Sequence, residues 1–233
     1  MDPTLKITNV LSDPTRFSIY EYITNLHAEV TVMDIANQFS IHPNVARHHL
    51  SKLEDVGMLK SENMKSGKGG RPSRYYKLSD ELIEINFPYR DYRLLSKIAI
   101  ESMLSLGPIA AKALYDTGKQ YGINIMENLL QKRKMKREEL TFHDKMEIFN
   151  QTATMLGFHP EILVKEDGHK VYFQVYNCPF KEVASEYKTL TCNTHIAFIK
   201  GLLEGLFEHF ELEFVQNMLD GCKSCTYHVN ISN

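Results

Sequence analysis

A basic segment with the signals of one helix and one hairpin constrains the fold of this 233-residue chain more than any other feature. Pro43 occupies a first helical position, apolar residues then recur at helical spacing as far as Val56, and Gly57 ends the helix. Residues 58–63 and 73–78 are predicted strands, and the glycine-rich stretch between them is a predicted loop. The segment is therefore predicted to form a helix followed by a β-hairpin.

Two shorter helices are predicted before this segment. Residues 14–26 place apolar side chains on one face of a helix, and Asp13 is the predicted N-cap. Thr31 is predicted to cap a second short helix over residues 32–39. Three helices followed by a hairpin is the element order of a winged helix-turn-helix, which we predict over residues 1–80.

The charge of the chain is distributed unevenly. Between His42 and Leu78 there are eight Lys or Arg residues and three acidic residues, a net charge of +5 in a chain whose total is −2. A local basic surface in a mildly acidic protein is typical of a DNA-binding site, because DNA phosphates attract it. A protein-interaction module stays open as an alternative, since winged helices also serve that role and basic hairpins are often only solvated.

The polar face of the third helix and the basic hairpin supply the candidate DNA contacts. Side chains near the start of a recognition helix reach base edges in the major groove, whereas a basic wing suits the DNA backbone or the minor groove. The predicted contact set is Asn44, Arg47, His48, Lys52, Lys65, Lys68, Arg71 and Arg74. The predicted partner is therefore double-stranded DNA.

The rest of the chain gives a predicted fold class of α+β. Residues 81–140 are largely helical in pattern, with an apolar stripe long enough for a connecting or dimerising helix. Residues 141–233 are predicted to form an α+β sensor domain, with residues 160–165 and 170–176 as a hairpin around an Asp-Gly turn.

All four cysteines lie in this last domain: Cys178, Cys192, Cys222 and Cys225. Four thiolates are the ligand set of an iron–sulfur cluster or of structural zinc. They converge only if the domain folds around them, because they come from three separate segments. Two other interpretations stay open, namely a thiol switch and small buried hydrophobic residues.

The DNA-binding segment resembles the ArsR/DeoR-type repressors. Residues 13–16 read DPTR and residues 45–59 read VARHHLSKLEDVGML, which is similar to the family's start and to the end of its recognition helix. The resemblance implies a homodimer on a palindromic operator. The metal-sensing branch of that family often carries cysteines in its DNA-binding domain, and this sequence has none there.

The chain also resembles the SufR-like group of iron–sulfur-responsive regulators. The resemblance rests on FPYRDYRLL at residues 87–95, NCPF at 177–180 and GCKSC at 221–225. It implies a cluster-loaded dimer that controls iron–sulfur assembly or redox stress. The cysteine spacing varies within the group, so a non-cysteine fourth ligand is also possible, and His195 is the nearest candidate in sequence.

Several function classes are disfavoured by what the sequence lacks. There is no phosphate-binding glycine loop after a strand, no nucleophile elbow and no His-Glu-x-x-His, so we expect no enzyme. Residues 1–4 carry an acid and a proline rather than an apolar leader, and we expect a cytoplasmic protein. The leading hypothesis is a regulator that senses an iron–sulfur cluster, redox state or iron; the alternative has structural zinc and a small-molecule effector.

Overall fold

A computed structural model describes residues 3–64, 73–86, 88–165 and 170–232. The chain forms two compact units, Met1–Arg90 and Asp91–Asn233, each with its own sheet and apolar core. The α+β prediction is confirmed. Among the described residues, no helix is both long and apolar enough to cross a membrane.

Within its described residues, the first unit has four helices and a three-stranded antiparallel sheet. Its elements are α1 (Pro3–Leu11), α2 (Pro14–Leu26), β1 (Val30–Thr31), α3 (Val32–Gln38), α4 (Pro43–Glu54), β2 (Leu59–Met64) and β3 (Ser73–Leu78). The strand order is β1-β3-β2, in which Val30 pairs with Tyr76 and Leu59 with Leu78. Three helices followed by a hairpin confirm the predicted winged-helix order, with α1 as an addition that the sequence analysis missed.

Side-chain caps fix where two of these helices begin. Asp13 accepts a hydrogen bond from the backbone N–H of Arg16 at 3.0 Å, and Pro14 occupies the first turn of α2. Thr31 and Asp34 form a reciprocal capping box at the start of α3. Both caps were predicted from sequence, because capping depends on residues only three positions apart.

The second unit packs helices on a four-stranded antiparallel sheet. Its elements are α5 (Tyr92–Leu104), α6 (Pro108–Arg133), α7 (Phe142–Met155), β4 (Pro160–Val164), β5 (Lys170–Val175), α8 (Lys181–Glu186), α9 (Lys188–Glu204), β6 (His209–Gln216) and β7 (Cys225–Ser232), with short 3-10 helices at Arg137–Glu139 and Met218–Asp220. The strand order is β4-β5-β7-β6. The core includes Phe149 and Phe173, whose rings meet edge to face at 5.0 Å.

The helical segment predicted over 81–140 is not a separate part of the molecule. Helix α6 packs along α9, and Met126 and Leu130 on α6 are buried in the same core as the sheet. The division between the two units falls at residue 90, so α5 and α6 belong with the predicted sensor domain of 141–233. An apolar stripe alone could not show which core the helix joins.

Helices α6 and α9 approach each other so closely that no Cβ atom fits at their crossing. A Cβ placed on Gly122 would lie 2.2 Å from the carbonyl oxygen of Phe198, and one on Gly201 would lie 2.0 Å from that of Lys119. Both neighbours are backbone atoms, which can move only if a helix moves. Glycine at these two positions therefore sets the distance between the two helices.

We expect Gly122→Ala, and separately Gly201→Ala, to lower the free energy of unfolding by about 3 kcal/mol, because the methyl group forces the helices apart. The measurement is urea unfolding of the full chain followed by circular dichroism. Thr117→Ala, at an exposed position on α6, is the matched control and should change the free energy of unfolding by less than about 0.5 kcal/mol. Wild-type stability in both glycine variants would contradict the close packing.

Candidate nucleic-acid interface and thiol cavity

The start of α4 presents a polar surface. His42 accepts a hydrogen bond at Nδ1 from the backbone N–H of Asn44 at 3.2 Å, which caps the helix. Ala46 and Leu50 are fully buried on one side of α4, so the opposite side of the helix faces outward. Asn44, Arg47 and His48 are all exposed on that outer face. The structure therefore brings together the three side chains that were predicted to read bases.

Two of these side chains are already joined. Arg47 donates from Nη1 to Oδ1 of Asn44 at 3.1 Å. A cleft beside them is lined by Arg47, Thr31 at the start of α3, and Ser61 and Asn63 on β2. Asn63 is exposed and was not predicted, because nothing in its local sequence distinguishes it from any other polar strand residue.

Most of the basic side chains that the structure describes in this segment are paired within the domain. Four of the five basic side chains described between 42 and 78 contact carboxylates: Lys52 with Asp55, Lys60 with Asp80, Arg74 with Glu54, and Lys77 with Glu29 and Glu62. In the part of the chain that the structure describes, Arg47 has no acidic partner. Lys65, Lys68 and Arg71 lie outside the described residues.

Arg74 is held against the end of α4, while 48% of its side chain remains exposed to solvent. Its Nη2 donates to both carboxylate oxygens of Glu54 at 2.9 and 2.7 Å, and its Nε donates to Oγ of Ser61 at 2.8 Å. Its guanidinium also lies 5.2 Å from the centre of the Tyr76 ring. Arg74 therefore fastens the hairpin to the end of α4, and it holds the predicted contact surface in place from within the domain.

The DPTR motif has a structural part in the same unit. Buried Arg16 donates from Nη1 to the carbonyl of Val10 at 2.9 Å, which ties the end of α1 to α2. Nδ1 of His49, on the buried side of α4, lies 3.9 Å from the carboxylate of Asp13. Burial lowers the pKa of His49 below its usual value, although Asp13 opposes this effect. The motif thus links α1, α2 and α4.

Three of the four cysteines line one small cavity in the second unit. Cys178, Cys192 and Cys225 surround it together with His195, and its volume of about 10 Å³ matches about one water molecule. The Sγ of Cys178 lies 3.5 Å from Nδ1 of His195. Nε2 of His195 is buried and has no hydrogen-bond partner among the described residues.

Asn217 connects the other two sulfur atoms. Its Nδ2 donates to the Sγ of Cys192 at 3.6 Å, and its Oδ1 lies 3.9 Å from the Sγ of Cys225. The backbone N–H of Met218 also donates to Cys225 at 3.4 Å. Asn217 was not predicted as a site residue, because its contact with Cys192 spans 25 positions and leaves no local signal.

The interior around the sulfur atoms favours neutral groups. Burial raises the pKa of the Cys178 thiol to about 12 and also raises the pKa of Cys225. Burial lowers the pKa of His195 to about 4. Near neutral pH these pKa shifts keep the thiols of Cys178 and Cys225 and the imidazole of His195 uncharged.

The donor atoms fit a thiophilic ion by their chemistry, although they are not arranged as a finished metal site. Three sulfurs and a buried imidazole nitrogen around a cavity of this size are ligands that zinc accepts. Cys222 is half-buried and is absent from the cavity lining. Among the described residues, no group of three or more His, Cys, Asp or Glu side chains stands in positions that hold a metal ion.

Comparison with known proteins identifies the first unit. Residues 11–62 match the family model described as a helix-turn-helix domain. The cadmium resistance transcriptional regulatory protein CadC homolog of Staphylococcus aureus is 37% identical over 79 residues, which is 34% of this chain and 60% of that relative. The match therefore spans less than two thirds of the relative's length. The first unit is a winged helix-turn-helix domain.

Solved structures show weaker likenesses. They include a trafficking protein particle complex subunit 3 from Naegleria fowleri covalently bound to palmitic acid (14% identity, 60% of this chain and 92% of that chain, TM-score 0.46). The phenol-responsive sensory domain of the transcription activator PoxR is 14% identical, with 79% of this chain and 89% of that chain covered and a TM-score of 0.45. Bacillus subtilis PadR in complex with operator DNA is 15% identical, with 79% of this chain and 97% of that chain covered and a TM-score of 0.22. Likenesses at this level carry no conclusion about function.

Proposed function

We propose that the chain is a DNA-binding transcriptional regulator whose C-terminal unit responds to the redox or metal state of its cysteines. The observation that carries the first part is the exposed Asn44–Arg47 pair on the recognition helix of a helix-turn-helix domain. The observation that carries the second part is the convergence of three cysteines on one cavity. The helix-turn-helix match and the CadC-like relative favour a regulator over an enzyme.

The chemistry of the exposed face suits base reading in the major groove. An Arg guanidinium pairs bidentately with guanine and an Asn amide with adenine. Arg47 would exchange its bond to Asn44 for a bond to a base, so both side chains would become available together. The paired cations Lys52, Lys60 and Lys77 are then of secondary importance, because an acidic neighbour offsets the charge of each.

We also propose that the regulator is a homodimer on a palindromic operator. Helix α5 has no buried residue among those described, and Leu94, Leu95 and Ile98 on it are each more than half exposed. An apolar helix face of this kind is typical of a surface that a second copy covers. Two-fold symmetry of the protein would require two-fold symmetry in the DNA. Sedimentation of the full chain at micromolar concentration tests the dimer.

An iron–sulfur cluster remains our first proposal for the cofactor, with zinc as the alternative. Cys178, Cys192 and Cys225 would be ligands in either case. A cluster held by four thiolates requires Cys222 to join the other three, whereas a single zinc ion can take the nitrogen of His195 as its fourth ligand. When bound, either group would hold its cysteine ligands as thiolates, a form that burial alone disfavours at Cys178 and Cys225.

The main test of DNA reading is Arg47→Ala. We expect it to weaken binding to duplexes selected by the wild-type protein from a random pool by about 1–3 kcal/mol and to relax their sequence preference, because a base contact is lost. Fluorescence anisotropy at fixed salt gives the affinity. Lys136→Ala, at an exposed position in the second unit, is the control and should bind like wild type. Unchanged affinity and preference in Arg47→Ala would contradict the proposed recognition helix.

Glu54→Gln separates a structural role from a purely electrostatic one. Removing a negative charge near DNA would strengthen binding if only charge mattered. We expect the opposite, a severalfold loss of affinity, because Arg74 and the hairpin lose their anchor on α4. Glu21→Gln, an exposed acid on α2, is the matched control and should bind DNA at least as well as wild type. Stronger binding by Glu54→Gln would contradict the anchoring role of Arg74.

Metal content distinguishes the two cofactors. We expect protein purified without oxygen to contain iron or zinc, and Cys178→Ser, Cys192→Ser and Cys225→Ser each to lose most of it. Iron and zinc analysis together with the visible spectrum is the measurement. A broad visible band in the wild-type protein, together with loss of the metal in Cys222→Ser, supports a cluster. A featureless wild-type spectrum, together with retention of the metal in Cys222→Ser, supports zinc. Protein with neither metal would contradict both cofactors and leave a thiol switch.

A further inference from the structure

The short segment between two cavity cysteines also contacts α5. Cys178 precedes α8, and the first residue of α8, Lys181, donates its backbone N–H to the carbonyl of Cys178 at 3.0 Å. Lys181 and buried Ala184 line the thiol cavity themselves. Cys192 follows one turn into α9. Any change in the positions of Cys178 and Cys192 therefore acts on both ends of this segment.

Tyr187 is the junction of the segment. It lies between α8 and α9, its backbone N–H donates to the carbonyl of Val183 at 2.9 Å, and its carbonyl accepts from Thr191 at 3.0 Å. Its side-chain hydroxyl donates to Oε1 of Glu101 on α5 at 2.5 Å. One residue thus joins the two helices beside the cavity to a third helix.

A second polar contact reinforces the first. Nζ of Lys97, one turn before Glu101 on α5, lies 2.5 Å from Oε1 of Glu186 at the end of α8. Since α5 has no buried residue among those described, apolar burial does not fix it in place. These two polar contacts, rather than apolar burial, therefore do most to fix the position of α5 within its own unit.

We propose that Tyr187 and Glu101 couple the thiol cavity to α5, the helix that directly follows the DNA-binding unit in the chain. This inference rests on the proposed function and concerns how that site is regulated. Joining two cysteines in a disulfide brings their sulfur atoms to about 2 Å from each other, and a shared zinc ion holds each sulfur about 2.3 Å from the metal. Either change moves the ends of α8 or α9, and the Tyr187 hydroxyl transmits the movement to α5.

The test uses Tyr187→Phe, which keeps the ring and removes only the hydroxyl donor, in the full chain. Protein is compared after dithiothreitol and after diamide, an azo compound that takes two electrons and two protons from two thiols as they form a disulfide. The ratio of DNA affinities in the two states, measured on duplexes selected by reduced wild type, is the first readout. Coupling between two sites typically changes affinity by about 5- to 150-fold.

We expect the wild-type ratio to lie in that range and the Tyr187→Phe ratio to fall to about two or less, with equal thiol loss in both proteins. Glu101→Ala should behave like Tyr187→Phe. Lys136→Ala, which removes an exposed ion pair elsewhere in the unit, should keep the wild-type ratio. A wild-type ratio in both Tyr187→Phe and Glu101→Ala would overturn the coupling and leave the regulator intact.

Hydrogen exchange of residues 92–104 supplies a readout that does not depend on DNA. We expect diamide to change exchange in α5 of wild type and to leave it unchanged in Tyr187→Phe. If DNA binding ignores diamide while α5 still responds through Tyr187, the redox part of the proposed function fails and the coupling stands. If α5 of wild type does not respond to diamide, the coupling itself is overturned.

Discussion

The close approach of α6 and α9 is the contact on which the C-terminal unit depends. Helix α9 supplies Ile199, Leu202 and Leu203 to the core beneath the sheet, and each is almost fully buried. The same helix carries Cys192 and His195 to the thiol cavity. Because α9 packs backbone to backbone against α6 from Thr194 onward, that part of the helix has little freedom, and a change at the cavity acts on α8 and on the first turn of α9.

In the DNA-binding unit, the useful distinction is between charges that have partners and those that do not. A surface ion pair adds little stability, yet the acidic partner largely offsets the attraction between the cation and DNA phosphates. Arg74 is paired with Glu54 and fixes the hairpin, whereas Arg47, among the described residues, bonds to the neutral amide of Asn44 and to no carboxylate. Arg74 therefore has a structural part within the domain, whereas Arg47 keeps its charge available for the DNA contact that we propose.

What the sequence could predict follows from how far apart the deciding residues lie. The caps at Asp13 and Thr31 and the recognition helix depend on neighbours within a few positions, and all were predicted. The pairing of Val30 with Tyr76 joins residues 46 positions apart, and no local pattern indicated it. The assignment of α6 to the sensor core likewise depends on its contact with α9. Convergence of cysteines was predicted as a possibility, but only the fold shows that Cys222 is absent from the cavity.

Burial also limits the states that the cavity can adopt. A thiolate is the form of cysteine that binds metal or attacks an oxidant, and burial opposes it at Cys178 and Cys225. Cys192 and Cys222 are only half-buried, so an oxidant or a metal ion from solvent reaches these two cysteines first. An isolated buried thiolate is unfavourable, whereas neutral thiols, a disulfide or a metal-bound set leave no uncompensated charge. The interior therefore favours these neutral or metal-bound states over a partly ionised set of thiols, which is consistent with the switch that we propose.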